Sequence, residues 1–447
     1  MKTFETQTDG GSGIPASVRP EHWVLTVAHH REGIDALGER LVLLDNESVV
    51  LGRGCKEFGG EVFDDPRVSR QHVRVRCQNG ILFAEDLQSR NGTLLNGRTI
   101  DRAELAEGDV LTVGGVLLLA HRGPRVVPRH RDPEIVGVGP ACARVLHRIG
   151  LAARADVVVL IRGETGVGKE LVARAIHAQS GRKGRFVAVN CSALSDGVLH
   201  SELFGHKKGA FSGATNEREG LVAAADGGTL LLDEIGDASP ALQGALLRLL
   251  EQREYREVGS TDARTTTARF VMATNVPLEE AVEDGSFRTD LFGRINRWII
   301  DVPPLRERQE DVMPLAHHFG ERYAKHPVRF ARSFAQALLR YDWPANVREL
   351  QGIVERAVLE QPESAVLSLT EELARRLQSA PAASSPAAPM VRRGVRRVRP
   401  SAEDLYARFQ ALGCNASALA AELGVGRTTV YRWFREAGLE VGDIRGD

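Results

Sequence analysis

The sequence predicts a multidomain chain: an all-β sandwich, then an α/β unit with a parallel sheet and an α-helical lid, then a small all-α unit. Three observations carry this expectation. Short apolar runs separated by Asn-Gly and Gly-Gly turns fill the first part of the chain. Strand and helix patterns then alternate over residues 134–300 and give way to helices over 310–376. Finally, an Ala-, Pro- and Ser-rich stretch sets apart a compact helical segment. A chain of 447 residues has room for about three domains.

Taken in order, residues 1–20 are polar and Gly-rich, and are expected to be disordered. Residues 21–122 form the sandwich. Its apolar runs fall at 23–28, 41–44, 48–51, 73–76, 81–84, 110–113 and 116–120. The turns are Asn79-Gly80, Asn91-Gly92, Asn96-Gly97 and Gly114-Gly115. An Arg- and Pro-rich linker spans 123–133. The α/β unit covers 134–308 and the helical lid 309–376. Residues 377–400 are a second linker, first Ala/Pro/Ser-rich and then carrying Arg392, Arg393, Arg396, Arg397 and Arg399 without an acid. Residues 401–447 hold short helices. No internal repeat is visible.

Composition narrows the function. Hydrophobic residues make up 43%, enough for real cores, and the formal net charge of -1 singles out no partner. No apolar run approaches a membrane span. The N-terminus lacks a signal-peptide core, so a cytoplasmic protein is expected. The five cysteines are scattered without a Cys-x-x-Cys pair, which argues against a disulfide framework or a zinc site. His317-His318 reads as a surface pair whose side chains diverge on a helix.

The most informative segment is Gly163-Glu164-Thr165-Gly166-Val167-Gly168-Lys169-Glu170, between the apolar run 157–161 and the helical pattern 171–176. Glycines let backbone N–H groups face an anion at a helix N-terminus, and Lys169 supplies a charge for the β- and γ-phosphates of a nucleoside triphosphate. The bland alternative is a Gly-rich turn, which the flanking strand and helix disfavour. Glu170 stands where a Ser or Thr usually offers a hydroxyl to the metal, so Mg2+ must be held otherwise. A second apolar strand ends in Asp233-Glu234, apt for holding Mg2+ (Asp233) and polarising water (Glu234). A third ends in Thr274-Asn275, polar groups placed to sense the γ-phosphate or the attacking water.

Together these motifs make residues 134–376 resemble the AAA+ ATPases of the bacterial sigma-54-dependent activators. Asn190, in Val189-Asn190-Cys191-Ser192, matches the asparagine that switches the catalytic glutamate. Gly209-Ala210-Phe211-Ser212-Gly213-Ala214 resembles the loop that touches sigma-54, with Ser212 in place of threonine. Arg256-Glu257-Val258-Gly259-Ser260 resembles the second pore loop. Arg288 and Arg294 match the arginine-finger segment, supplied across a ring interface. Arg348, in Trp343-Pro344-Ala345-Asn346-Val347-Arg348, matches the lid's sensor arginine. The resemblance implies ATP and Mg2+ as cofactors and a homo-oligomer, dimer to hexamer.

The ends resemble known modules too. Leu51-Gly52-Arg53, Ser69-Arg70-Gln71-His72 and Ser89-Arg90-Asn91-Gly92-Thr93 resemble a forkhead-associated (FHA) domain, a reader of phosphothreonine. The resemblance assigns the phosphate to Arg53 and Ser69, with help from Arg70, and the peptide backbone to Asn91; His72 braces the loop. A phosphothreonine protein or a Ser/Thr kinase is the implied partner. Residues 404–435 resemble a Fis-type helix-turn-helix, with Arg427, Thr428, Thr429 and Arg432 meeting double-stranded enhancer DNA.

The expectation is an activator that couples ATP hydrolysis to remodelling of the sigma-54 RNA polymerase closed complex. The alternatives are a sigma-54-independent DNA-binding regulator, which the 209–214 loop disfavours, and a phosphopeptide-binding scaffold with weak ATPase, which Lys169, Asp233, Glu234 and Arg294 disfavour.

Overall fold

A computed structural model describes residues 22–30, 35–58, 62–127, 132–193, 196–210, 216–379 and 408–409. Arg427, Thr428, Thr429, Arg432 and the expected helix-turn-helix lie outside the described residues, as do the linker 380–400 and Phe211, Ser212, Gly213 and Ala214. The chain divides into two compact units, 1–282 with 286–383, and 283–285 with 384–447. The first unit holds the sandwich, the parallel sheet and the lid.

Ten antiparallel strands form the sandwich. One sheet orders Arg40–Leu43, His22–His29, Val116–Gly123, Val110–Val113, Thr93–Leu95 and Arg98–Ile100. The other orders Ser48–Leu51, Val73–Gln78, Ile81–Asp86 and Arg102–Leu105. Leu25, Val27, Leu51, Val75, Leu82, Leu111 and Leu118 fill the space between them. Asn79 and Gly80 both adopt left-handed φ (+52° and +73°), the type I′ requirement that joins two strands in two residues. Asn96 and Gly97 do the same at +52° and +83°. The seven expected runs are all strands. The strands at 93–95, 98–100 and 102–105 escape a sequence reading because each is only three or four residues long.

Five parallel strands form the second sheet, in the order Phe186–Asn190, Thr229–Asp233, Arg269–Thr274, Val159–Arg162, Ile299–Asp301. Their registers pair Asn190 with Asp233 and Arg162 with Thr274, so four strand ends arrive at one edge. Ligands of such sheets sit at the carboxyl ends of the strands. Arg269, buried within this sheet, donates from Nη2 to Ala152 O at 2.7 Å and so satisfies a carbonyl at the end of helix Pro140–Arg154.

The lid has helices Val312–Ala324, Arg332–Leu339, Asn346–Glu360 and Glu371–Ser379. The sequence pattern there is purely helical, but Arg329–Phe330 and Val366–Leu367 also pair as a short parallel ladder. The expectation that His317-His318 is a surface pair needs correction. Only His318 is exposed; His317 is buried, beside Val328 and Phe330.

The sandwich and the lid share a core. Ala28, Val110, Leu117 and Leu119, on the outer face of the six-stranded sheet, join Leu305, Val312, Phe330, Phe334 and Trp343 in one apolar cluster. Leu117 and Leu118 therefore point into different cores although adjacent in sequence. At the edge of this contact His121 Nδ1 lies 3.3 Å from Glu310 Oε1, and its Nε2 lies 2.7 Å from Thr26 Oγ1. Burial pushes His121 down to about 4 and the Glu310 carboxyl above its usual range, so burial opposes charge on both partners.

Candidate nucleotide site and phosphopeptide loops

The loop 163–168 leaves strand Val159–Arg162 and enters helix Lys169–Gln179. Gly166 takes a φ of +81°, and a Cβ there would lie 2.3 Å from Ala345 O, so only glycine lets the loop approach the lid this closely. Lys169, 6% exposed, donates to Gly163 O at 3.0 Å and stands 3.5 Å from Glu234 Oε1. Its ammonium thus waits between the loop carbonyls and the acid at the tip of strand Thr229–Asp233.

Glu234 holds a left-handed φ of +52°. Such strain in a residue with a side chain points to a functional constraint. Its Oε2 accepts from Asn275 N at 3.2 Å, and Asn275 Nδ2 donates to Thr165 Oγ1 at 3.0 Å. Asn275 therefore links the loop to the acid. Thr274 does not: it is buried, and its hydroxyl accepts from Val276 N at 3.0 Å. Asn190 Oδ1 accepts from Ser192 N and Oγ at 2.8 and 2.7 Å, so the asparagine is engaged locally while Glu234 faces Lys169 and Asn275.

A cavity of about 840 Å3 opens here, lined by residues 165–172, Asp233, Glu234, Arg308, Arg322 and Arg348 among others. Arg348 sits in the first turn of Asn346–Glu360, and its N–H donates to Gly166 O at 3.3 Å. Arg288 and Arg294 do not line this cavity. Arg288 pairs with Asp290 at 2.7 Å on an exposed surface, and Arg294 donates to Leu250 O at 3.4 Å.

Three residues that sequence reasoning misses fasten the loop. Asn346 Nδ2 donates to Glu164 Oε2 at 3.0 Å and Thr165 O at 3.1 Å, while its Oδ1 accepts from Leu305 N at 2.8 Å. Arg306 donates to Glu164 at 2.9 Å, and Arg308 donates to Val167 O at 2.9 Å. The Arg306 hydrogen bond holds the Glu164 carboxyl below its usual range, against the effect of burial. The motif Trp343–Arg348, which suggests a role for Arg348, also contains Asn346.

A divalent cation fits the donor set. Mg2+ takes one or two carboxylates together with phosphate oxygens and water. Asp233 and Glu234 stand at the strand tip beside the phosphate loop, although no cluster of three or more His, Cys, Asp or Glu suited to a metal occurs among the described residues. Glu170 also lines the cavity and pairs with Arg174 at 2.7 Å.

The base of the 209–214 loop is also defined. Gly205–His206 pairs with Arg218–Glu219, and Lys207 N donates to Val258 O at 3.0 Å. Lys207 and Arg264 both pair with the buried Glu257, at 3.2 and 3.0 Å. A Cβ on Gly259 would lie 2.8 Å from Ala210 Cβ, so Ala210 rests directly on the loop 256–260.

At the end of the sandwich, Gly52 brings two loops together: a Cβ there would lie 2.1 Å from Arg70 O. Arg53 N donates to Ser69 O at 2.9 Å, Arg90 N to Ser69 Oγ at 3.1 Å, and Asn91 Nδ2 to Arg67 O at 2.7 Å. Arg53, Arg70 and Asn91 are exposed around the half-buried Ser69. His72 is fully buried, as a bracing residue should be. Its Nδ1 accepts from Ser69 N at 3.1 Å, which leaves the proton on Nε2 to be donated to Gly92 O at 3.2 Å.

Residues 135–301 match the model of the sigma-54 interaction domain, residues 306–389 that of the AAA+ ATPase lid domain, and residues 49–114 that of the FHA domain. The transcriptional regulatory protein ZraR of Klebsiella oxytoca is 43% identical over 305 residues, which cover 66% of this chain and 67% of that protein. The Nif-specific regulatory protein of Rhodobacter capsulatus is 50% identical over 259 residues, covering 57% of this chain and 44% of its own. Among solved structures, NtrX from Brucella abortus in complex with ATP aligns at a TM-score of 0.50 and 31% identity, over 68% of this chain and 70% of that one. No helix among the described residues is long and apolar enough to cross a membrane.

Proposed function

The chain belongs to the sigma-54-dependent transcriptional regulators, and from that premise we propose that it is an activator that spends ATP to remodel the sigma-54 RNA polymerase closed complex. The single observation that carries this reading is the convergence of Lys169, Asp233, Glu234 and Arg348 on one cavity. Asp233 holds Mg2+ against the phosphates, and Glu234 polarises the attacking water. Asn275 and Asn190 adjust Glu234, and Arg348 reports the nucleotide to the lid. Arg288 and Arg294 complete the site of a neighbouring subunit in a ring. Their absence from the lining of their own chain's cavity supports this assignment. The loop Gly209–Ala214 carries the motion to sigma-54 through Phe211, with Ser212 keeping the hydroxyl of the usual threonine.

Residues Arg427, Thr428, Thr429 and Arg432 bring a dimer to enhancer DNA. The FHA domain takes a phosphothreonine through Arg53, Ser69, Arg70 and Asn91, and so regulates the motor. The reading is tested by open-complex formation with purified protein, sigma-54 polymerase and ATP, alongside Lys169→Ala and a full chain whose phosphopeptide loops are silenced by Arg53→Ala. Opening that requires ATP, sigma-54 and Lys169 is the expected result. Robust ATP hydrolysis without opening by either form would overturn the coupling and leave a sigma-54-independent regulator.

A further inference from the structure

A second cavity, of about 310 Å3, lies where the sandwich meets the lid. It shares no lining residue with the nucleotide cavity. Arg67 and Gly115 line it from the sandwich, Arg329 and Arg332 from the lid, and His29 from the end of strand His22–His29. No carboxylate is among its described lining residues.

The charges here are unevenly matched. Arg67 is held by Asp65, with Nε 3.0 Å from both carboxylate oxygens. Neither Arg329 nor Arg332 has an ion-pair partner among the described residues. The one side-chain bond of Arg332 is a long one, 3.4 Å from Nη1 to Gly114 O. Arg332 also opens helix Arg332–Leu339, whose first turn has no side-chain cap, so the positive end of that helix adds to the field. His29 is 3% exposed, and its Nδ1 has no hydrogen-bond partner among the described residues. A buried polar atom left unpaired calls for an explanation, and here the Arg332 guanidinium is among the groups beside it.

We propose that this junction is a binding site for a phosphoryl group, held by Arg329, Arg332 and the uncapped helix end, with His29 Nδ1–H donating to one of its oxygens. Guanidinium groups and a helix N-terminus are a fitting pair for a phosphate. The volume admits a phosphate with a small group attached, either a phosphorylated side chain or a free phosphate monoester. The occupant would touch sandwich and lid at once and so fix one against the other. It would also act on the phosphopeptide loops, because the Arg67 carbonyl accepts the Asn91 Nδ2 bond.

The test uses the full chain carrying Arg53→Ala, to silence the loops around Ser69, and saturated with ADP, to fill the nucleotide cavity. Inorganic phosphate, pyrophosphate, glycerol phosphate and a phosphothreonine peptide are each titrated by calorimetry. Saturable binding of one anion per chain is expected, weakened about tenfold or more by Arg329→Ala with Arg332→Ala. Arg329→Gln alone, at an exposed position, provides the same comparison should the double variant fold poorly. Tighter binding of the peptide would identify a phosphorylated side chain as the occupant, and tighter binding of glycerol phosphate a free metabolite. Absence of saturable binding, or binding indifferent to both arginines, would overturn the proposal.

Discussion

Replacing Asn346 should loosen the lid from the phosphate loop. The side chain is fully buried and makes three hydrogen bonds, to Leu305 N, Glu164 Oε2 and Thr165 O. Leaving Leu305 N–H without an acceptor costs about 1–3 kcal/mol. The bond to Glu164, a carboxylate 41% exposed, contributes ~1 kcal/mol at most after solvent screening. The residue also holds a φ of +57°, which asparagine tolerates and alanine resists by roughly 1 kcal/mol. Asn346→Ala should therefore lose about 2–5 kcal/mol, and Asn346→Gly roughly 1 kcal/mol less. A chain of several domains does not unfold in two states. The quantity to follow is thus the urea transition that ADP protects, with ADP affinity measured by calorimetry. If Asn346→Gly matches wild type in both, the three bonds do not couple lid and loop, and the reasoning fails.

Acid should weaken the sandwich–lid contact. Burial pushes His29, His121 and His317 each down to about 4. Neighbouring His317, His30 and Arg332 add to the effect at His29, and Arg40 at His121, where Glu107 opposes it. A folded pKa below the unfolded value means stability that is complete above about pH 6.5 and lost as pH falls through 4. At pH 5 the loss is about 2 kcal/mol per histidine, offset by about 1 kcal/mol from Asp311, which burial raises to about 6. Urea midpoints at pH 7 and pH 5 should differ accordingly; equal midpoints would count against it. Glu234→Gln should retain ATP binding while turnover falls by about 10²–10⁴, read by calorimetry and phosphate release. Gly52→Ala should abolish phosphothreonine-peptide binding, because its Cβ would lie 2.1 Å from Arg70 O; unchanged affinity would mean the two loops need not meet.

What the sequence reveals and what it hides divide along physical lines. The phosphate loop and the acids at 233–234 are local backbone patterns, recognisable without knowing what lies across the sheet. The bracing role of His72 is legible for the same reason, since its partners Ser69 and Gly92 belong to the motifs beside it. The roles of Asn346, Arg306 and Arg308 are not, because their targets at 164–167 are some 140–180 residues away. Thr274 and Asn275 are adjacent and both polar, and only packing tells that Asn275 reaches the loop. His317 departs from expectation because helical spacing reveals which residues share a face, not which face another domain will cover. One further signal is present in the chain: residues 116–120 are five consecutive apolar residues, whereas a strand with one wet face alternates.

That run has a consequence for how the chain can be cut. A border near residue 123 divides the sequence into plausible modules, yet it severs a core instead of a linker. Trimming the sandwich away strips Phe330, Phe334 and their neighbours of their cover, and the excised sandwich carries Val110, Leu117 and Leu119 into water. Each fragment would inherit half of an oily seam and would tend to stick to copies of itself. The sensor and the motor are thus a single inheritance: a lineage that exchanged this sandwich for another input module would have had to rewrite the back of the lid as well.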